Sequence, residues 1–211
     1  MSDVAADTDA PDRLASNAGG VAARQGFKYQ DHVAASFVLA MIADERLKKV
    51  ECETADDIVL TWQEHGPEFP EYVQVKTTEA DSKWSQGEIL KRAAKSRAPT
   101  SLAEKSLLCD TGAANALFRI VSRRGVNKTL TCLILQRDNR QRAKPAADLG
   151  VRLAKKYATK SKNGNDLAFW AKRTSCAINW RKWRSIWPAL SGKRLAIRPM
   201  SKALSPKPGS W

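Results

Sequence analysis

Apolar positions change their spacing along the chain, and each change predicts a different kind of element. Between residues 27 and 50 they recur at helical spacing, on a face formed by Phe27, Val33, Phe37, Met41 and Leu47. Residues 1–22 are rich in Ala, Asp and Ser and hold too few apolar side chains to pack, so a disordered N-terminal segment is expected.

A period of two residues then predicts strands over residues 50–54, 58–62 and 72–77. The turn-forming sequence His65-Gly66-Pro67 makes the last two a hairpin. Residues 117–122 and 129–135 predict two more strands, and the second is apolar enough for the centre of a sheet. One helix, three strands, further helices and more strands together predict an α/β domain.

Capping residues predict where the shorter helices begin. Ser85 can cap a helix from Gln86 to about Ser96, and Ser101 with Glu104 has the spacing of a capping box. Residues 146–157 and 166–173 are expected to be helical as well. Beyond Asn179 the chain becomes rich in Trp and Arg.

Charge divides the chain into two unlike parts. Residues 1–118 hold 13 Lys or Arg against 19 Asp or Glu, whereas residues 119–211 hold 23 basic residues against three acids. The net charge of +14 therefore arises from the second part. A polyanion is its natural partner, because each cation placed on a phosphate releases condensed counterions. The alternative is a basic, poorly structured tail.

Several classes of protein are disfavoured. The four cysteines form no CxxC pair, which argues against a zinc site or a disulfide framework and fits a reducing cytoplasm. No apolar stretch is long enough to span a membrane. Nucleotide-binding motifs of the GxxxxGKS/T and GxGxxG kinds do not occur, and neither His32 nor His65 has a partner at metal-ligand spacing.

The strongest candidate chemistry lies on the predicted hairpin. Asp57 stands at the head of one strand, and Gln74-Val75-Lys76 begins 17 residues later on the other. Because side chains alternate along a strand, Gln74 and Lys76 share one face. Phosphodiester hydrolysis uses a hard oxygen ligand for a divalent metal and a lysine that positions water or offsets developing charge. In the structural alternative, Asp57 caps a turn and Lys76 is solvated, which leaves Gln74 unexplained.

Three motifs carry a resemblance to a known family: Gln25-Gly26-Phe27-Lys28-Tyr29-Gln30, then Glu53 with Asp56-Asp57-Ile58, then Val73-Gln74-Val75-Lys76-Thr77. Over residues 24–135 the chain resembles the PD-(D/E)xK nuclease superfamily, in the variant where glutamine replaces the third-strand acid. More narrowly, it resembles the nuclease domain of Cap4-type anti-phage effectors, the group known as domain of unknown function 4297. This resemblance implies a restriction-endonuclease-like mixed sheet flanked by helices.

The resemblance also implies a role for each matching residue. Asp57 would be the metal-binding acid, Gln74 the substituted acid position and Lys76 the catalytic lysine, while Gln30 would face the same site from the first helix. Glutamine in place of an acid removes one negative charge from the metal site. Glu53 is the first choice to restore it, with Asp56 and Asp31 as alternatives, and the metal would be Mg²⁺ or Mn²⁺.

The basic C-terminal part offers candidate DNA contacts. Trp180, Trp183 and Trp187 share a helical face that is flanked by Arg181, Lys182 and Arg184. These cations could grip a DNA backbone while the tryptophans stack or pack. Two alternatives remain open here: an ordinary amphipathic helix that docks its tryptophans, and a chain truncated or frame-disturbed after about Cys176.

We therefore expect a disordered segment over residues 1–22, a nuclease domain over residues 23–136 and a basic, mainly helical extension over residues 137–211. The expected function is a Mg²⁺-dependent endonuclease that cuts double-stranded DNA in the bacterial cytoplasm during phage defence. A regulatory sensor protein or domain and a second copy of the chain are further candidate partners. The alternative is a degenerate nuclease fold that binds nucleic acid and acts with a partner.

Overall fold

The computed structural model describes residues 12–77, 82–112 and 116–178. Its described part is a five-stranded sheet, in the order β1-β2-β3-β4-β5, with helices on both faces. The strands are β1 (Leu47–Cys52), β2 (Ile58–Trp62), β3 (Phe69–Lys76), β4 (Leu117–Ser122) and β5 (Thr174–Ile178). The helices are α1 (Asp12–Ala43), α2 (Gln86–Ile89), α3 (Leu102–Leu108), α4 (Arg140–Lys156) and α5 (Leu167–Arg173). The expected α/β class with a mixed sheet is confirmed.

Strand pairing changes once across the sheet, from antiparallel to parallel at β3. β1, β2 and β3 form an antiparallel meander, whereas β3, β4 and β5 run parallel to one another. The ends of the three parallel strands are in register, since Lys76 pairs with Ser122 and Ser122 pairs with Ile178. β3, β4 and β5 therefore end at the same edge of the sheet, and β2 begins there.

Each face of the sheet has its own apolar core. α1 covers one face with Val33 and Phe37, which are fully buried against strand residues such as Leu60 and Val73. The opposite face packs against α2 to α5 and a 3-10 helix (Lys128–Leu133), with Trp170 at its centre. Because both faces of the sheet are covered by apolar side chains, polar side chains can gather only where the strands end.

The structure corrects two predictions about helix length. α1 begins at Asp12 rather than at Phe27, so the expected N-terminal disorder is wrong for residues 12–22, while residues 1–11 lie outside the described part. Alanine recurs through this stretch and has the highest helix propensity. Ser85 caps α2 as predicted, in a capping box with Glu88, but α2 ends at Ile89 rather than near Ser96. Beyond it, the backbone N–H of Ala93 donates to Thr100 Oγ1 and not to a helical carbonyl.

The predicted strand over residues 129–135 is also wrong. The side chain of Asn127 accepts from the backbone of Thr129 and starts a 3-10 helix, whose Leu130 and Leu133 recur at three-residue spacing. β5 occupies the place beside β4 instead. The sheet and its core therefore continue past the boundary expected at residue 136, as far as Ile178.

A buried ion cluster stabilises the sheet at the end opposite the strand ends described above. Glu71 on β3 is 1% exposed and accepts two hydrogen bonds from Arg119, both 2.9 Å long. Arg137 and the indole nitrogen of Trp62 also donate to its carboxylate. Burial raises the pKa of Glu71, but the charges and hydrogen bonds of Arg119 and Arg137 outweigh burial and bring the pKa down to about 2.

Candidate active site

The candidate catalytic residues meet at the sheet edge where β2 begins and β3 ends, which we call the site edge. Asp57 directly precedes β2, and Lys76 is the last residue of β3. The antiparallel register places Ile58 opposite Val73, so the two strands bring these residues together. The convergence that the sequence predicted for Asp57 and Lys76 is present.

Asp57 holds the centre of the site edge. Its Oδ2 accepts a hydrogen bond of 2.7 Å from the backbone N–H of Val75 and lies 3.8 Å from Lys76 Nζ. The Asp57 and Lys76 side chains are 31% and 32% exposed, so solvent and a ligand can reach both. The carboxylate is fixed by the neighbouring strand while the ammonium remains accessible.

Asp56 and Gln74 add buried oxygen atoms beside this pair. Asp56 Oδ1 accepts from the backbone of Asp57 at 3.0 Å, whereas Asp56 Oδ2 and Gln74 Oε1 are buried without a hydrogen-bond partner. Burial raises the pKa of Asp56 to about 7; the charge of Asp57 acts in the same direction, while the Asp57 backbone, Lys76 and Gln74 oppose it. Buried polar atoms are nearly always satisfied, so these two unpartnered acceptors are candidates for contact with a ligand.

Gln30 connects α1 to the turn before β2. Its side-chain nitrogen donates to Glu53 Oε1 and, at 3.1 Å, to the carbonyl oxygen of Asp57. The backbone N–H of Glu53 donates to the same carbonyl at 3.2 Å, and Glu53 has a left-handed φ of 55°. Gln30 therefore connects α1 to the loop that carries Asp57 and fixes that loop.

The candidates for the second acid occupy different positions. Glu53 is exposed at the rim and engaged by Gln30, whereas Asp56 lies inward beside Gln74. Asp31 lies near Cys52: after burial, the charges of Asp31 and Glu53 raise the pKa of that thiol. Asp56 is thus better placed than Glu53, the first choice from sequence. The only sequence signal for Asp56 was its adjacency to Asp57. Asp56 lies in the turn before β2, where the alternation of side chains along a strand does not predict which way a side chain points.

Cys109 and His32 each contact a backbone carbonyl group. Cys109 Sγ donates to the carbonyl oxygen of Ala55 at 3.0 Å, and burial together with Asp56 and Asp57 raises its pKa to about 12. A thiol with so high a pKa is not a nucleophile at neutral pH. His32 is exposed on α1, with Nδ1 2.6 Å from the carbonyl oxygen of Lys28. In the ranges that the structure describes, no group of three His, Cys, Asp or Glu side chains is arranged to hold a metal.

Arg181, Lys182 and Arg184 fall outside the described residues, so their predicted role in DNA binding stays a prediction. A surface pocket lies at the opposite end of the sheet, between Trp62, Phe69 and the ion pairs of Glu71. The candidate site is therefore an open edge and not this pocket. Among the described helices, none is long and apolar enough to cross a membrane.

Comparison with known proteins gives two matches. The model of a family described as "Cap4, dsDNA endonuclease domain" matches residues 18–174. The Anti-bacteriophage protein A of Escherichia coli (strain K12) is 36% identical over 124 residues, which cover 56% of this chain and 22% of that protein. The chain therefore spans about a fifth of the length of this relative. No solved structure matches.

Proposed function

The chain belongs to the family of Cap4 dsDNA endonuclease domains, and from that premise we propose that it hydrolyses phosphodiester bonds of double-stranded DNA with the help of Mg²⁺ or Mn²⁺. The observation that carries the proposal is the site edge, where Asp57, Gln74 and Lys76 meet. The name of the Escherichia coli relative supports a role in defence against phage. Four free thiols among the described residues fit a reducing compartment, which for this activity would be the cytoplasm.

The residues present fit a divalent metal. The carboxylate of Asp57 and the orphaned oxygens of Asp56 and Gln74 are hard oxygen donors, the kind that Mg²⁺ and Mn²⁺ prefer. We assign these three residues to the metal, and Glu53 at the rim is the alternative acid. A metal held there would polarise the phosphate and make bound water more acidic.

The side chains of this protein contribute orientation and charge. Lys76 places an ammonium 3.8 Å from the Asp57 carboxylate, where it can hydrogen-bond a water molecule or a phosphate oxygen and offset charge that develops in the transition state. The Val75 N–H fixes Asp57, and Gln30 holds the carbonyl oxygen of Asp57 from the other side. Because these groups are held in place before substrate arrives, little reorganisation is needed during the reaction.

The direct test of the proposal is digestion of a supercoiled plasmid with Mg²⁺, with Mn²⁺ and with EDTA. Linear product in either metal and none in EDTA is the expected result. Nicked or intact plasmid under every condition, with retained binding to DNA, would favour the second candidate, a nuclease fold that binds nucleic acid and needs a partner. One observation favours that candidate: the described ranges contain no group of three Asp, Glu, His or Cys side chains arranged to hold a metal.

Asp57→Asn is expected to remove cleavage by weakening metal binding, with DNA affinity little changed. The amide keeps the shape of the side chain and an acceptor for Val75, but it loses the charge that holds a hard cation. Calorimetry should show Mn²⁺ binding weakened by about tenfold or more, a loss of about 1.4 kcal/mol. Asp148→Asn, on the exposed surface of α4, is the matched control and should bind Mn²⁺ like the parent. Equal Mn²⁺ binding by Asp57→Asn and the parent would exclude Asp57 as a ligand.

Basic residues after β5 are proposed to supply much of the non-specific affinity for DNA. β5 ends at Ile178, in register with Ser122 and Lys76, so the chain leaves the sheet at the site edge. Arg181, Lys182 and Arg184 follow within six residues, and an extended chain covers at most about 3.5 Å per residue. The described chain therefore ends close to the proposed active site, a few residues before these cations in the sequence.

Replacing Arg181, Lys182 and Arg184 with Gln is expected to reduce the salt dependence of DNA binding. Each phosphate contact contributes about −0.9 to the slope of log affinity against log salt, so the loss of three contacts flattens that slope by up to about three units. Fluorescence anisotropy with unrelated duplexes measures the slope. The control triple replaces Arg140, Lys144 and Lys172, which are exposed on α4 and α5. If both triples behave like the parent, residues 181–184 do not contact phosphate.

Regulation is proposed to come from outside the described residues. A nuclease active without restraint would damage the DNA of its own host. The chain spans about a fifth of the Escherichia coli relative, so a sensor protein or domain is a candidate for that restraint. A second copy of the chain is another candidate partner, because cutting both strands of a duplex requires two hydrolysis events.

A further inference from the structure

Arg123 lies at the site edge, one residue beyond the end of β4. Ser122, the last residue of β4, pairs with Lys76 across the parallel ladder. With neighbouring strands about 4.8 Å apart and a rise of about 3.3 Å per residue, the backbone of Arg123 lies roughly 6 Å from that of Lys76. Its side chain is exposed. A second cationic side chain thus begins beside the candidate catalytic lysine.

The ring of Tyr29 lies beneath the guanidinium group of Arg123. The guanidinium carbon is 4.6 Å from the ring centroid, within the range of a cation–π contact. Tyr29 is 8% exposed and belongs to the core under α1, so the ring is a fixed support. The next residue, Gln30, holds Glu53 and the loop of Asp57. One turn of α1 therefore positions both the loop of the candidate metal ligands and Arg123.

Arg124, the neighbour of Arg123, has a different role. It is 7% exposed, donates to Glu88 at 2.7 Å and to the backbone and side chain of Ser82, and stacks on Trp84. The Trp84 indole in turn donates to Ser122 Oγ at 2.8 Å. These contacts hold the segment after β4 rigidly to the segment after β3. Arg123 thus projects from a fixed backbone, and the contacts of Arg124 stabilise that backbone.

Three acidic side chains lie at the site edge beside Lys76 and Arg123. Glu53, Asp56 and Asp57 gather there, and carboxylates repel a phosphate backbone. A planar guanidinium can bind two phosphate oxygens at once and stays charged at every relevant pH. An arginine fixed on an aromatic ring beside the acids is therefore suited to hold a phosphate against that repulsion.

We propose that Arg123, supported by the ring of Tyr29, binds a backbone phosphate of the DNA next to the bond that is cut. This inference rests on the proposed function, because it takes duplex DNA as the substrate. The contact is to the sugar-phosphate backbone, so it serves affinity and placement of the duplex and carries no sequence preference.

The experiment is a salt titration of binding to a labelled duplex in EDTA, so that no cleavage is required. Arg123→Gln should flatten the slope of log affinity against log salt by about 0.9. Arg140→Gln is the matched control: Arg140 is exposed at the start of α4, three residues after Arg137, which donates to the carbonyl oxygen of Phe118 at the far end of β4. This control should keep the parental slope. An unchanged slope in Arg123→Gln, or equal flattening in both variants, would overturn the proposal.

The role of Tyr29 is tested by two substitutions at that position. Tyr29→Phe keeps the ring and removes a hydroxyl that is buried without a partner, so binding should match the parent. Tyr29→Leu removes the ring and should flatten the slope in the same way as Arg123→Gln, and adding Arg123→Gln to it should change the slope no further. Parental binding by folded Tyr29→Leu would overturn the support role. All of these experiments measure DNA binding. The proposed function is tested separately by plasmid cleavage, and absence of cleavage by the parent protein would contradict that function alone.

Discussion

Lys76→Ala is expected to abolish plasmid cleavage while the protein stays folded. The Lys76 ammonium lies 3.8 Å from Asp57 Oδ2 at the site edge and is the cation closest to the proposed metal ligands among the contacts described above. Removing a single preorganised group that stabilises transition-state charge commonly slows a reaction by about 10²–10³-fold. The side chain is one-third exposed, and such positions usually change stability by within about 0.5 kcal/mol.

Initial rates of plasmid linearisation, with circular dichroism as the check on folding, measure this effect. Lys172→Ala on the exposed surface of α5 is the matched control and should cut at the parental rate. A purified Lys76→Ala protein that cuts as fast as the parent would show that the assigned active site is wrong. Retained DNA binding without cleavage would support the role given to Lys76.

Glu71→Gln is expected to produce the largest loss of stability. Glu71 is fully buried, and its carboxylate accepts hydrogen bonds from Arg119, Arg137 and the Trp62 indole. Removing its charge leaves two guanidinium groups without their anion, and breaking a buried ion pair typically costs about 3–5 kcal/mol. Urea unfolding measures the difference. Glu64→Gln is the control, because Glu64 pairs with Arg46 on the exposed surface, where an ion pair contributes about 0–1 kcal/mol.

The effect of Glu71 also depends on pH. Its pKa in the folded protein is about 2, below the ordinary value of 4.5, so the stabilisation is fully present above pH 4.5. As the pH falls from 4.5 towards 2, the unfolded chain takes up a proton at Glu71 while the folded protein keeps the carboxylate ionised, so the difference between parent and Glu71→Gln should shrink. A difference that stays constant over this range would show that charge is not the source of the stabilisation.

The antiparallel half of the sheet could be predicted well from the sequence. Alternating apolar residues and the turn at His65-Gly66 define the β2–β3 hairpin, and its register then brings Asp57 to Lys76. The N-cap at Ser85 and the capping box at Ser101 are local hydrogen-bond patterns and were also predicted correctly. These features depend on residues that are near one another in the chain.

Features that depend on distant contacts were missed. Residues 128–133 and the β5 sequence are both short and apolar, and only packing against β4 decides which of them forms the strand. The burial of Asp56 beside Gln74 follows from the path of a turn, which alternation does not describe. The pairing of Glu71 with Arg119 and Arg137 joins residues up to 66 positions apart, so no local pattern shows it.

The change from antiparallel to parallel pairing at β3 affects how much conformational entropy the chain loses when each part of the sheet forms. Five residues connect β1 to β2 and six connect β2 to β3, whereas 40 residues lie between β3 and β4 and 51 between β4 and β5. Closing a loop costs entropy that grows with the logarithm of its length. The meander that brings Asp57 to Lys76 therefore closes at the lower entropic cost. The two long connections, which place Ser122 and Ile178 beside the meander, cost more entropy. Burial of apolar surface on the face of the sheet away from α1 must offset that cost.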